Sequence, residues 1–342
     1  MTLQRIGFAC KWLNSTDESK DKKIRAEERE VNTSTTTVAW LNRQTREQAE
    51  TKLWEVMVHN LKSVKNLLTR VSQLDKRLHM VRLGSDLLPM YTEATWGYFW
   101  QGSDVRYYYE KEFAEIGQFA RSHDIRLSFH PGQFCVLASG DENIVNRSID
   151  EFEYHVDMAR AMGYGSSWHD HGFKINVHIS GSKGPAGITD ALRRMTPEAR
   201  NLITIENEEM KWGINDCLAL EKKVAIVLDI HHHLIHSNGE YIEPGDDRWK
   251  RVVDSWQGVR PAMHYSISRE DVLVGHCKTT RPDVAALLEN KVVNRSKLRA
   301  HSDDTWNLAC NQWALSFWPN SDIMVETKWK NIAASNLLEC AV

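Results

Sequence analysis

The sequence predicts an α/β fold, a single (β/α)8 barrel spanning residues 1–342. Short apolar runs rich in Val and Ile recur along the chain, separated by stretches with helical spacing. Runs of this kind suit parallel strands whose outer face is covered by helices. In addition, seven metal-capable side chains each close such a run: His130 after IRLSF, His178 after KINV, Glu206 after NLITI, Asp229 after VAIVL with His232 close behind, His264 after RPAM, and Glu326 after DIMV. A closed barrel sets the last residue of every parallel strand around one rim. A doubly wound open sheet is the alternative, but it does not gather all the strand ends at one site.

In chain order, Ile6 to Ala9 is the first strand. The mixed-charge stretch TDESKDKKIRAEERE reads as a solvated helix or loop. From about Thr45 to Val71, Leu53, Met57, Leu61, Val64, Leu68 and Val71 recur at helix spacing. His79 to Leu83 is the second strand, and an aromatic-rich loop follows from Pro89 to Tyr109. The alternation then repeats. Strand 125–130 precedes a helix near 143–162, strand 174–179 a helix near 186–200, strand 201–206 a short helix near 215–221, and strand 224–230 a helix near 246–256. Strands 260–266 and 322–326 and a closing helix complete the set, with no linker to divide it.

Composition excludes several classes. With 42% hydrophobic and 26% charged residues, the chain is ordinary for a soluble globular protein. A net charge of -3 is not the signature of a protein that coats nucleic acid, although bound divalent cations would reverse the local sign. The six cysteines form no CxxC and read as reduced core residues of a cytoplasmic protein. Neither a membrane span nor a signal peptide is expected.

Imidazoles and carboxylates without thiolate suit Mn, Zn, Fe or Co rather than a structural zinc site. A single zinc takes about four ligands. The rim offers more, so a multinuclear site is expected, able to bridge a phosphate and present a hydroxide to it. Each residue alone also has a plain role, as a hydrogen-bonded core histidine or a capping carboxylate. In DIHHH, strand alternation sends His231 and His233 to one side and His232 to the other. In HPGQF, Pro131 and Gly132 make a turn that projects Gln133 and Phe134. These two either pack and solvate or act as a wedge in a base stack.

The motifs IGFACKW, RLGSDLLP, SFHPGQF, NVHISG, IENEE, DIHHH, MHYS, AHSDD and VETKWK occur in that order. With them the chain resembles the UV damage endonucleases from about Ile6 to Lys330, and TTTVAWLN and PMYTE are similar to a bacteriophage-type branch. The resemblance implies a TIM barrel related to apurinic-site endonucleases and sugar isomerases. It implies nicking of double-stranded DNA immediately 5′ of cyclobutane dimers, 6-4 photoproducts and abasic sites, leaving a 3′-hydroxyl. A monomer is expected, cytoplasmic and held at the nucleoid by DNA binding.

Carried over residue by residue, the implied metal ligands are His130, His178, Glu206, Asp229, His232, His264 and Glu326, with His130, Glu206 and His264 catalytic. The implied cofactor is roughly two or three Mn2+ ions, with Zn2+, Co2+ or Mg2+ as alternatives. Gln133 and Phe134 fall on the lesion-probing pair, and Phe8 on an aromatic near the end of strand one. Arg82 and Ser85 are expected to shape the second strand end, His301 and Asp303 to support ligand histidines, and Lys328 and Lys330 to touch phosphates. Two positions depart from the family pattern. Glu93 stands where a histidine ligand is expected, and it can still bind a hard cation. Ala262 stands where a lysine helps to hold metal, and it supplies no ligand. Two rival readings remain at this level: a sugar isomerase or epimerase on the same barrel, and a DNA-binding homologue with weakened catalysis.

Overall fold

The computed structural model describes residues 3–17, 19, 21–132, 134–273 and 275–341. Among these residues the eight strands are β1 Ile6–Ala9, β2 Met80–Arg82, β3 Arg126–Phe129, β4 Lys174–His178, β5 Ile203–Glu206, β6 Ala225–Val227, β7 Ala262–Tyr265 and β8 Asp322–Val325. They form one parallel sheet in the order β6-β5-β4-β3-β2-β1-β8-β7. No ladder joins β6 to β7. A parallel bridge between Asp229 and His264 closes the barrel instead, with the His264 amide donating to the Leu228 carbonyl at 3.0 Å. The fold is the expected TIM barrel.

Strand alternation decides what each face carries. Ala9, Met80, Ala225, Val227, Ala262 and Met324 form a small cluster inside the barrel. Their neighbours Phe8, Val81, Ile226, Met263, Ile323 and Val325 point outward into the main core beneath the helices. The same parity, counted two residues at a time, turns Arg82, His130, His178, Glu206, His264 and Glu326 inward at the carboxyl end. At the opposite end Arg126 and Asp322 are buried together, with Arg126 Nη1 2.8 Å from Asp322 Oδ2. This ion pair plugs the bottom, so the open chemistry is confined to one rim.

The helices follow the sequence pattern with several differences. Arg46–Val71 starts at a Thr45–Gln48 capping box, and all six apolar positions that predicted it are buried. The segment expected to be loop as far as Tyr109 becomes a helix from Ser103 to Ser122. Val105, Tyr109, Phe113, Ile116 and Ala120 form its buried stripe, which the exposed aromatic Tyr107 obscures in the sequence. The stretch near 186–200 splits into Gly184–Arg194 and Pro197–Leu202, where Pro197 opens a new turn. Residues 201 and 202 are therefore helical, and β5 begins two residues late. Finally, Ile230–His236 is a helix capped by Asp229, so the strand alternation expected for DIHHH does not apply. The three histidines instead fan out at about 100° per residue. His231 meets Ser266 and Ser268, His232 faces the barrel mouth, and His233 lies 3.4 Å from Glu240. No cysteine is disulfide-bonded; Cys135, Cys217 and Cys310 are core residues, whereas Cys277 is exposed. No described helix is long and apolar enough to cross a membrane.

Candidate metal centre

Glu206, fully buried at the end of β5, is the hub of the rim. Its Oε2 lies 3.5 Å from His130 Nε2 and 3.4 Å from His178 Nε2, and its Oε1 lies 3.0 Å from His264 Nδ1 and 3.5 Å from His232 Nδ1. Register delivers one of these contacts directly, because His178 and Glu206 are ladder partners. Two groups of potential ligand atoms share this carboxylate, His130–His178–Glu206 and Glu206–Asp229–His264, each with its atoms within 4.8 Å of one another. Glu326 Oε1 lies 3.0 Å from His264 Nδ1 on the other side and also pairs with Arg82. The structure therefore brings together all seven strand-end groups.

The electrostatics match that geometry. Burial alone would raise the Glu206 carboxyl, but His264 and His178 hold it well below the ordinary range. Glu326 is likewise held low by Arg82 and His264 against its burial. Burial pushes His130 down to about 4, which leaves it neutral, the state a metal ligand requires. Its Nδ1 donates to the Pro131 carbonyl at 2.9 Å, so Nε2 is the nitrogen turned to Glu206. Burial would lower His232, but Asp229, Glu206 and Glu209 lift it to about 9. Asp229 is pushed up to about 6, burial being the largest cause. Its Oδ1 caps the helix by accepting from the His232 amide at 2.7 Å, whereas Oδ2 is buried with no hydrogen bond, 3.7 Å from His232 Nδ1. A buried carboxylate oxygen without a hydrogen bond is costly. That oxygen and an imidazole–carboxylate donor set without thiolate fit a divalent cation of the Mn or Zn kind.

Several supporting residues were not legible in the sequence. Asn207 brackets Asp229 by donating to its carbonyl (3.0 Å) and accepting from its amide (2.9 Å), and its own carbonyl meets His232 Nδ1 at 3.0 Å. Asn176 donates to Glu206 Oε2 and accepts from Thr204 at 2.7 Å. Lys174 is fully buried at the start of β4, with Nζ 3.1 Å from His264 Nε2, and burial pushes its amine down to about 7. Ala262 lies in the inner apolar cluster, so the lysine that reaches His264 comes from β4 rather than from β7. Lys174→Met is expected to weaken Mn2+ binding by about 10- to 100-fold, as loss of a hydrogen bond behind a ligating histidine does. Calorimetric titration checks this, and wild-type affinity in the variant would reduce Lys174 to a packing role.

Other expected site residues have different surroundings. Glu93 Oε2 accepts from the Thr95 and Trp96 amides at 2.9 Å each, closing a turn, and it joins neither ligand group. The backbone amides of its own loop satisfy it locally. Phe8 points outward, is 1% exposed and packs edge-on against Trp12, because strand parity sends Ala9 inward instead. Asp303 pairs with Lys328 at 2.7 Å rather than with a ligand histidine, so that lysine is not an unpaired cation. Lys330 opens the last helix and is half-buried. His301 lies edge-on to His231 and tilted against His232, with ring centres 5.5 and 6.1 Å away. Ser85 donates to the His130 carbonyl at 2.8 Å. Phe134, four residues after His130, is 85% exposed, and Gln133 lies outside the described residues.

Sequence comparison matches the family described as UV-endonuclease UvdE to residues 5–341. A UV-damage endonuclease of Schizosaccharomyces pombe is 26% identical over 273 residues, covering 76% of this chain and 40% of that protein. A UV DNA damage endonuclease of Bacillus mycoides is 25% identical, covering 66% of this chain and 69% of that one. A putative UV-damage endonuclease of Acanthamoeba polyphaga mimivirus is 34% identical over 175 residues, covering 48% and 52%. The chain thus spans less than half of the fission-yeast relative and about half of the viral one. Among solved structures, that of SacUVDE superposes with a TM-score of 0.71 at 21% identity, covering 98% of this chain and 97% of that one. Endonuclease IV from Thermus thermophilus superposes with a TM-score of 0.51 at 12% identity, covering 82% and 92%.

Proposed function

The chain belongs to the UV-endonuclease UvdE family, and from that premise we propose a divalent-metal-dependent DNA repair endonuclease. It nicks the strand immediately 5′ of ultraviolet photoproducts and abasic sites and leaves a 3′-hydroxyl. The observation that carries the metal-dependent part is the convergence of His130, His178, Glu206, Asp229 and His264, with one oxygen of Asp229 buried without a hydrogen bond. The family assignment favours this reading over the sugar isomerase.

His130, His178, Glu206, Asp229, His232, His264 and Glu326 are the proposed ligands. When bound, divalent cations of the manganese type neutralise phosphate charge and acidify a water for attack. The protein's own residues do the rest. Pro131 fixes His130 with Nε2 toward Glu206, Asn207 keeps Asp229 and His232 in register, and Lys174 holds His264 from behind. Arg82 balances Glu326 at the mouth. Lesion choice comes from the DNA: damaged steps stack poorly, so flipping them costs less, by on the order of a few kcal/mol. Gln133 and the exposed Phe134 fill the vacated space. The enzyme is proposed to act as a monomer in the cytoplasm, where DNA binding holds it at the nucleoid.

An ultraviolet-irradiated duplex with Mn2+ should be nicked by the protein while its unirradiated twin stays intact, as denaturing electrophoresis resolves. Equal cutting of both, or of neither, rejects the proposal. Gln133→Ala combined with Phe134→Ala should weaken binding to damaged duplex selectively, and equal loss on intact duplex counts against the wedge.

A further inference from the structure

We infer that the cationic stretch 291–299, within the segment between β7 and the helix Leu308–Ser316, is a platform for the DNA phosphate backbone; this rests on the nuclease reading above. The segment leaves the carboxyl end of β7, the same end that carries His264. It packs onto the helix Ile230–His236. Leu273, Val284, Val293 and Leu298 form a small core with Leu234 and Ile235 of the helix that carries His232. At its far end Arg299 pairs with Glu209, whose Oε2 lies 4.0 Å from His232 Nε2. Side-chain contacts from Arg299 through Glu209 to His232 therefore link this segment to the ligand cluster.

Its charge distribution points to an anionic partner. Residues 291–299 (KVVNRSKLR) carry four cations and no acid, in a chain whose net charge is -3. Lys291, Arg295 and Lys297 line an open pocket of about 550 Å³ together with Asn238, Val292 and Asn294. Elsewhere on the segment the cations are neutralised: Arg269 by Asp271, Lys278 by Glu270 and Arg281 by Glu243. Among the described residues, Lys291, Arg295 and Lys297 pair with no carboxylate, and Arg295 is held by Asn238 Oδ1 at 2.9 Å. Three cations without carboxylate partners around one opening favour an anionic partner. A duplex offers about one negative charge per 1.7 Å of its axis, which suits several spaced cations better than a single small anion does. Asn294 is engaged as a helix cap and Asn238 holds Arg295, so the patch is assigned the backbone rather than the lesion.

The test measures binding of the whole protein to an undamaged duplex by fluorescence anisotropy over a series of salt concentrations. In K291Q/R295Q/K297Q the slope of log affinity against log salt should be shallower by about 2 to 3, and binding weaker by roughly tenfold or more at moderate salt. Metal content by elemental analysis should match wild type, and K291R/K297R should keep the wild-type slope. A wild-type slope in the glutamine variant, with the wild-type protein still nicking irradiated duplex, overturns this inference and leaves the nuclease reading standing. A wild-type protein that neither binds duplex nor nicks it overturns both. Saturable binding of inorganic phosphate at the patch without any duplex binding also overturns it.

Discussion

Glu206→Gln should reduce nicking of irradiated duplex by at least about a thousandfold, equivalent to roughly 4 kcal/mol of transition-state stabilisation. Glu206 is the one carboxylate shared by both ligand groups, and four histidines lie within 3.5 Å of its oxygens. Glutamine keeps the shape but removes the charge. It also puts an amide where His264 and His130 need an acceptor or a common cation. Single-turnover nicking with Mn2+ measures the effect, and circular dichroism shows whether the barrel persists. Activity within tenfold of wild type would mean that the rim cluster is not where the phosphodiester is cut.

Acidification is the second large effect, and it concerns stability. His155 and His169 are fully buried outside the ligand cluster, and burial pushes them down to about 4 and about 3. Each uses Nδ1 on a carbonyl, of Glu151 at 2.8 Å and of Phe173 at 3.0 Å, and leaves Nε2 buried without a partner. A histidine depressed in the folded state binds its proton more readily when unfolded. Its stabilisation is complete above an unfolded value near 6.5 and is lost as pH falls from there toward the folded value. At pH 5 this amounts to roughly 2 kcal/mol for each group, a large share of a typical margin of about 5–15 kcal/mol. Urea melts of the metal-free protein at pH 7 and pH 5 should differ accordingly. His155→Phe, which keeps a ring against Phe129, should remove roughly 2 kcal/mol of that difference. An unchanged difference would contradict the assignment.

The barrel was legible because each strand carries a short Val/Ile run, and the rim because strand parity and strand ends together fix where a residue points. His178 and Glu206 illustrate this: each closes an apolar run, and the ladder sets them side by side. What escaped depended on closure or on local competition. Lys174 reads as an ordinary lysine at a strand start, and only a closed barrel brings its amine 3.1 Å from a histidine 90 residues away. Asp229 looked like a strand end but serves as a helix cap, since a short carboxylate before a helical run finds the free amides there. Glu93 and the Asp303–Lys328 pair found partners close at hand. The helix Ser103–Ser122 was hidden because its tyrosines occupy both the buried and the exposed face. Phe8 was carried over by likeness alone, and parity turned it into the core.

The most direct test of the central claim is anomalous diffraction at the manganese edge from crystals grown with Mn2+. Strong peaks at the barrel mouth, within coordination distance of Glu206 and flanked by His130, His178, Asp229 and His264, are the predicted result. Crystals soaked in excess Mn2+ that show no peak there, or peaks only at surface carboxylates, would contradict it.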